Sequence, residues 1–149
     1  MDTQTFPQNQ GTSPVLTISR LNLTEIIEDM FLVLTSKEKD VIVKRFSLDN
    51  QPKQTLEKIG QSFSVTRERI RQIEKIALGK LRRTAINTKL SLINKYAHEI
   101  LEKNGGVLLE ENLITEILNQ ISSSQDVDAH IILLALSINP EIVKVEKSN

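Results

Sequence analysis

Four polar residues within six positions, Arg67, Glu68, Arg71 and Gln72, are of the types that form hydrogen bonds with the edges of DNA bases. Arginine can donate twice to guanine, glutamine can pair with adenine through two hydrogen bonds, and glutamate can accept from cytosine. At about 100° per residue on a helix, all four fall on one side. The chemistry that these residues indicate is recognition of base pairs in a DNA groove.

The helix that carries them is predicted to begin after a cap at Thr66 and to reach about Arg83. Lys75 and Arg82 extend its polar side, where cations neutralise phosphates and set the register on DNA. The opposite arc is apolar and consists of Ile70, Ile73, Ala77 and Leu81. The alternative is a solvated surface helix rich in charge pairs. The threefold excess of basic over acidic residues in 53–83 favours DNA.

A shorter helix precedes the basic one. Thr55 can cap a helix that contains Leu56, Ile59 and Phe63, and a turn of about three residues separates the two helices. This arrangement is the sequence form of a helix-turn-helix, whose second helix enters the major groove. Gly60 falls where the two helices cross closely and where a side chain would hold them apart.

The remaining pattern predicts an all-α, mainly helical protein with two modules. The first module, over 21–84, has four helices and follows a flexible tail over 1–20. Its other elements are a helix capped at Thr24, a helix led by Thr35 and Ser36 and ending at Phe46, and a loop over 48–54. The second module, over 89–149, is a small winged helix with three helices and two short strands, at 107–109 and 142–145. Residues 85–88 are a plausible hinge between them.

Charge is divided between segments of a chain whose net charge is zero. Residues 53–83 hold nine Lys or Arg and three Glu, a net +6, whereas residues 97–149 hold three Lys and nine Asp or Glu, a net −6. The basic segment can neutralise phosphates and the acidic one is repelled by them. We therefore expect the two modules to have different partners.

Composition argues against several other classes of protein. The chain has 149 residues, 39% of them apolar, and no cysteine, so neither wholesale disorder nor disulfide or thiolate chemistry is expected. Its apolar runs are far shorter than the roughly 20 residues of a membrane span, and because residues 1–14 are polar we expect no signal peptide. His98 and His130 lie in no paired-ligand motif, so we expect no metal, cofactor or small-molecule ligand. No catalytic constellation is visible, and a cytoplasmic location is expected.

Residues 34–83 resemble region 4 of the sigma-70 family of transcription initiation factors. The resemblance rests on six motifs: Leu34-Thr35 with Glu38, Arg45-Phe46, Leu48-Asp49, Leu56-Glu57-Lys58-Ile59-Gly60, the unbroken run from Val65 to Glu74, and Lys80-Leu81-Arg82. The ten-residue run is the most specific of them. Ser64 departs from the family pattern, which often has glycine there, and Gly79 and Ile76 replace residues that are often basic.

The resemblance implies that the second helix contacts the −35 element of double-stranded promoter DNA. Arg67, Glu68 and Gln72 would contact bases, with Arg71 and Arg69 near the backbone or flanking bases. The residues implied to hold the DNA backbone are Lys37, Arg45, Thr55, Leu56, Arg69, Lys75 and Arg82. A helix start that holds a phosphate agrees with the general affinity of helix N-termini for anions. The resemblance further implies docking on the beta flap of RNA polymerase, mainly through an apolar groove, in a bacterial-type protein associated with the nucleoid.

Residues 89–149 more weakly resemble the HARE-type winged helix-turn-helix domain, also found at the N-terminus of the bacterial polymerase delta subunit. The supporting segments are Ala97–Leu101, Gly105-Gly106, Val107-Leu108, Leu113–Ile117 and Ile142–Val145. The acidic surface of this half favours a protein partner, such as polymerase, over DNA.

Two functions follow as hypotheses. In the first, the protein is a DNA-binding transcription regulator. We do not expect it to open promoters alone, because only 3% of its residues are aromatic and no segment resembles region 2 of the family, which melts the DNA strands. In the alternative, it is an interaction protein that binds the polymerase flap without contacting bases, as an anti-initiation or appropriating factor would. The four polar residues of the second helix favour the first hypothesis.

Overall fold

The computed structural model describes residues 22–123 and 125–145. Within these ranges the regular structure is helical, and the predicted tail over 1–20 lies outside them. The elements are α1 (Leu23–Met30), a 3-10 turn (Phe31–Val33), α2 (Ser36–Phe46), α3 (Leu56–Phe63), α4 (Arg67–Ala85), α5 (Leu90–Lys103), α6 (Glu110–Gln120) and α7 (Asp126–Ile138). The prediction of a mainly helical protein is confirmed.

Threonine side chains begin three of the helices. Thr35, Thr55 and Thr66 have extended backbone, and the side chain of each accepts a hydrogen bond from the backbone N–H three residues later. The predicted caps at Thr55 and Thr66 are thus confirmed, and Thr35 leads into α2 as predicted. The predicted cap at Thr24 is wrong. Asn22 caps α1 instead, and the earlier start places Leu23 inside the helix, where its side chain is buried in the core.

The two short strands predicted at 107–109 and 142–145 do not form. The segments lie close together, since Lys144 Nζ is 3.7 Å from a carboxylate oxygen of Glu110. However, no backbone hydrogen bond joins them within the described ranges, and Val143 is exposed rather than packed. A strand requires a hydrogen-bonded neighbour, so β-branched composition alone misled the prediction.

One large apolar core runs through both halves of the chain. It joins α1, α2 and the C-terminal part of α4 to α5, α6 and α7. Helix α7 is central, because it packs against α1, α2, α4, α5 and α6 and buries Ile131, Ile132 and Leu134 completely or nearly so. The helix-turn-helix pair has a separate, smaller cluster: Val41, Ile59, Ile70 and Ile73.

The buried carboxylate of Glu38 fastens the start of α2 to α4. One of its oxygens accepts from the backbone N–H of Thr35 at 2.9 Å and from Lys80 Nζ at 2.8 Å. Burial is the largest single influence on the pKa of Glu38 and raises it, but the hydrogen bonds from Lys80 and Thr35 and the charge of Lys80 together outweigh burial. The pKa of this carboxyl therefore lies below its ordinary value.

We expect Glu38→Gln to lower the free energy of unfolding by about 1–2 kcal/mol near neutral pH, because it removes charge-assisted hydrogen bonds. Since the pKa of Glu38 is depressed in the folded state, its contribution is present above the unfolded pKa and is lost as pH falls through the folded pKa. Urea unfolding of both proteins across the acidic range checks this. A difference between them that stays constant with pH would contradict the assignment.

Candidate nucleic-acid interface

A tight turn fixes the angle between α3 and α4. Ser64 lies in the left-handed region at φ 56°, which costs a non-glycine residue about 1 kcal/mol. The N–H of Val65 then donates to the carbonyl of Gly60 at 2.9 Å. A Cβ on Gly60 would lie 2.8 Å from the carbonyl oxygen of Val65, so the predicted need for glycine at the crossing is confirmed.

Helix α4 presents a polar face beyond this turn. Arg67, Glu68, Arg71 and Gln72 are all exposed, whereas the apolar residues of the same helix face inward. The buried set is Ile70, Ile73, Ala77, Leu81 and Ala85. The predicted division of the helix into a core side and a polar side is therefore confirmed, and the polar side projects away from the protein.

Two of the predicted base-contacting residues form an ion pair with each other. Nε and one terminal nitrogen of Arg71 donate to the two carboxylate oxygens of Glu68 at 2.9 and 2.6 Å. The hydrogen bond from Arg71 lowers the pKa of Glu68, and the same bond raises the pKa of Arg71, so both groups are charged at neutral pH. Because the pair is exposed, water and salt weaken it, and its partners are free to exchange for base edges.

Lysines of α2 gather at the end of α3. The Nζ atoms of Lys37 and Lys44 lie 5.6 and 4.8 Å from the ring centroid of Phe63, within cation–π range. Lys37 is among the residues predicted to hold a phosphate, whereas Lys44, which the structure places over the same ring, is not. The available signal was their spacing, because residues seven apart share one helix face.

The start of α3 has the geometry of an anion site. The side chain of Thr55 caps the helix by accepting a hydrogen bond from the backbone N–H of Lys58. The backbone N–H groups of Leu56 and Glu57 have no acceptor among the described residues. Unpaired N–H groups at a helix start attract phosphate. Arg69 and Lys75 are exposed on α4 and are free to reach solvent or phosphate.

Two arginines of the predicted phosphate set are engaged within the protein. Arg45 Nε lies 2.6 Å from a carboxylate oxygen of Glu74, and Nε of Arg82 donates to the carbonyl of Ile138 at 2.9 Å. Arg82 therefore caps the C-terminal end of α7, an end that favours cations. Arg45 is half-buried by its contacts, whereas Arg82 is an exposed residue whose Nε alone is engaged in this way.

No group of three or more His, Asp or Glu side chains in residues 22–123 and 125–145 is arranged to hold a metal ion. His98 Nε2 lies 3.2 Å from a carboxylate oxygen of Glu141 and 3.4 Å from the amide nitrogen of Asn139. None of the described helices is both long enough and apolar enough to span a bilayer.

Comparison with known families identifies the class of this helix-turn-helix. Residues 31–83 match the family model of sigma-70, region 4. Among individual proteins, the chain is similar to RNA polymerase sigma factor SigA of a Nostoc species, at 45% identity over 85 residues, which cover 57% of this chain and 22% of that protein. Sigma factor SigA of a Synechocystis species is also 45% identical over 85 residues, which cover 57% of this chain and 20% of that protein.

A sigma factor from a third organism gives a similar match. RNA polymerase sigma factor SigA of Lactococcus lactis subsp. cremoris is 47% identical over 70 residues, or 47% of this chain and 19% of the relative. The chain thus spans about a fifth of the length of the curated relatives that it matches. What these comparisons show is that residues 31–83, which contain the helix-turn-helix, match the model of sigma-70, region 4.

Proposed function

We propose that this protein is a transcription regulator that binds promoter DNA, with α4 in the major groove of a −35-type element. One observation carries the proposal: the four side chains suited to base edges are exposed together on α4, within a segment that matches sigma-70 region 4. In this proposal Arg67, Glu68, Arg71 and Gln72 contact bases.

Backbone contacts complete the proposed interface. Lys37, Lys75, Arg69 and the N–H groups at the start of α3 hold phosphates, and Lys44 joins them because it lies over the same aromatic ring as Lys37. These cations supply a salt-dependent contribution to DNA affinity that is the same for every DNA sequence. Specificity therefore has to come from the exposed polar face of α4.

RNA polymerase is the proposed protein partner, because the relatives carry the name RNA polymerase sigma factor. The acidic C-terminal half, over 89–149, is the proposed polymerase-facing module, since its charge repels DNA. Promoter binding would place the protein on the nucleoid. The beta flap is the candidate surface on the polymerase.

The alternative, flap binding without contact to bases, has less support. It leaves the exposed Arg67, Glu68 and Gln72 without a role. In addition, the apolar side of α4 at Ala77 and Leu81 belongs to the core that α7 completes. Docking of a flap on that side would require α7 to move, so base contact is the function that the geometry favours.

The test is a titration of the full chain on a duplex with a −35 element and on a scrambled duplex, at several salt concentrations. We expect Arg67→Ala and Gln72→Ala each to lose about 1–3 kcal/mol on the −35 duplex and little on the scrambled one. Lys95→Ala removes one positive charge from the exposed side of α5 and serves as the charge-matched control. It should leave the preference unchanged.

Equal affinity of the wild-type chain for the two duplexes would contradict the proposal. In that case, binding of RNA polymerase by the Arg67 and Gln72 variants decides the alternative. Retained polymerase binding would support a flap-binding interaction protein, because such a protein does not need the polar face of α4.

A further inference from the structure

Arg45 connects three parts of the helix-turn-helix. From α2, its Nε donates to Glu74 on α4 at 2.6 Å, and one terminal nitrogen donates to the carbonyl of Gln54 at 3.1 Å. The side chains of Arg45 and Glu74 are each only 20% exposed, so the pair is well shielded from water. One guanidinium therefore ties α2, the loop before α3 and the DNA-facing helix together.

Gln54 is held at both ends of its backbone. Its N–H donates to the carbonyl of Lys44 at 3.1 Å, while its carbonyl accepts from Arg45. The next residue is Thr55, the cap of α3, and the two N–H groups for which no described residue supplies an acceptor follow directly at Leu56 and Glu57. The contacts at Gln54 thus set where the start of α3 lies relative to α4.

We propose that Arg45 and Glu74 are positioning residues, which fix the phosphate-binding start of α3 at the correct distance from the base-contacting face of α4. Arg45 then acts from inside the protein and does not itself hold a phosphate. This inference rests on the proposed function, because it assigns to the pair the alignment of two parts of one DNA interface.

The proposal makes an unusual prediction for Glu74. If Glu74 were only a negative charge near DNA, neutralising it would strengthen binding. If it anchors Arg45, Glu74→Gln removes the anionic partner of a shielded guanidinium and lets the start of α3 shift. We expect Glu74→Gln to weaken binding to the −35 duplex about three- to tenfold, since phosphate contacts depend on register.

The matched control is Asp40→Asn. Asp40 is an exposed residue of α2, the helix that carries Arg45, and its carboxylate makes no hydrogen bond or ion pair with a described residue. The substitution removes the same charge as Glu74→Gln without touching the pair. Binding should be unchanged or slightly tighter, and equal tightening by both substitutions would overturn the positioning role.

Arg45→Lys distinguishes positioning from phosphate contact. Lysine keeps the charge but cannot bridge Glu74 and Gln54 with a planar fork, so a positioning role predicts weakened binding. The slope of log affinity against log salt concentration should stay at the wild-type value, because the contact that shifts is made by uncharged N–H groups and no charged side chain leaves a phosphate. Wild-type affinity for Arg45→Lys, together with a slope reduced by about 0.9 in Arg45→Ala, would assign Arg45 to a phosphate and overturn the proposal.

Two further measurements test the contact itself: the binding of a double variant, and amide hydrogen exchange, which does not depend on DNA binding. Arg45→Gln with Glu74→Gln should bind no worse than the weaker single variant, since both act through one contact. If the wild-type chain shows no preference for the −35 duplex, the proposed function fails. Exchange at the amide of Gln54 still reports on the contact, and it should accelerate in Glu74→Gln but not in Asp40→Asn. Unchanged exchange in Glu74→Gln would overturn the positioning role by itself.

Discussion

Gly60→Ala is expected to destabilise the helix-turn-helix by about 1–3 kcal/mol and to weaken binding to any DNA duplex. The added Cβ would lie 2.8 Å from the carbonyl oxygen of Val65 and 3.3 Å from the carbonyl carbon of Thr66. Both neighbours are backbone atoms of the turn, so no side-chain rotation relieves the overlap, and the helices must separate. Thermal unfolding by circular dichroism measures the loss of stability.

Gly79→Ala is the matched control for this substitution. Gly79 also lies in a helix of the same module, but the atom nearest to an added Cβ there would be a terminal nitrogen of Arg83, at 3.7 Å. With no steric conflict, alanine should stabilise α4 by about 0.5–1 kcal/mol. If the two substitutions shift stability in the same direction by similar amounts, close packing at the turn is not the reason for glycine at position 60.

Local signals were the predictable part of this fold. The caps at Thr35, Thr55 and Thr66 and the two-sided pattern of α4 are each contained in a few neighbouring residues, and the structure agrees with them. The error at Thr24 was also local, because asparagine is as good a cap as threonine and Asn22 comes first. Such choices require no knowledge of the rest of the chain.

Contacts between distant residues were not predictable in the same way. Arg45 and Glu74 are 29 positions apart, and nothing in their spacing shows that the arginine turns inward rather than toward a phosphate. Likewise, the composition of α7 predicts a buried helix but not the helices that bury it. The candidate base-contacting residues were found from sequence because they share one helix, whereas Lys44 and the role of Gln54 depend on packing.

The central position of α7 leads to the second large expected effect. Ile132→Ala removes a side chain that is fully buried in the core shared by the two halves of the chain. Truncation of a buried isoleucine to alanine costs about 2–5 kcal/mol, because the remaining cavity adds to the lost burial. Since α7 packs against α1, α2 and α4, the loss should reach the helix-turn-helix half as well.

Amide hydrogen exchange resolves where the effect appears. In Ile132→Ala we expect the amides of Ile27 in α1 and Leu81 in α4 to lose protection together with those of α7, since all contribute to one core. Ile86→Ala is the control, because it makes the same truncation on a side chain that is 75% exposed and should change stability by less than about 0.5 kcal/mol. Loss of protection confined to α5–α7, with Ile27 and Leu81 unaffected, would contradict the shared core. It would mean that the helix-turn-helix half unfolds independently of the acidic half, and that α7 is free to leave the apolar side of α4 when a partner binds there.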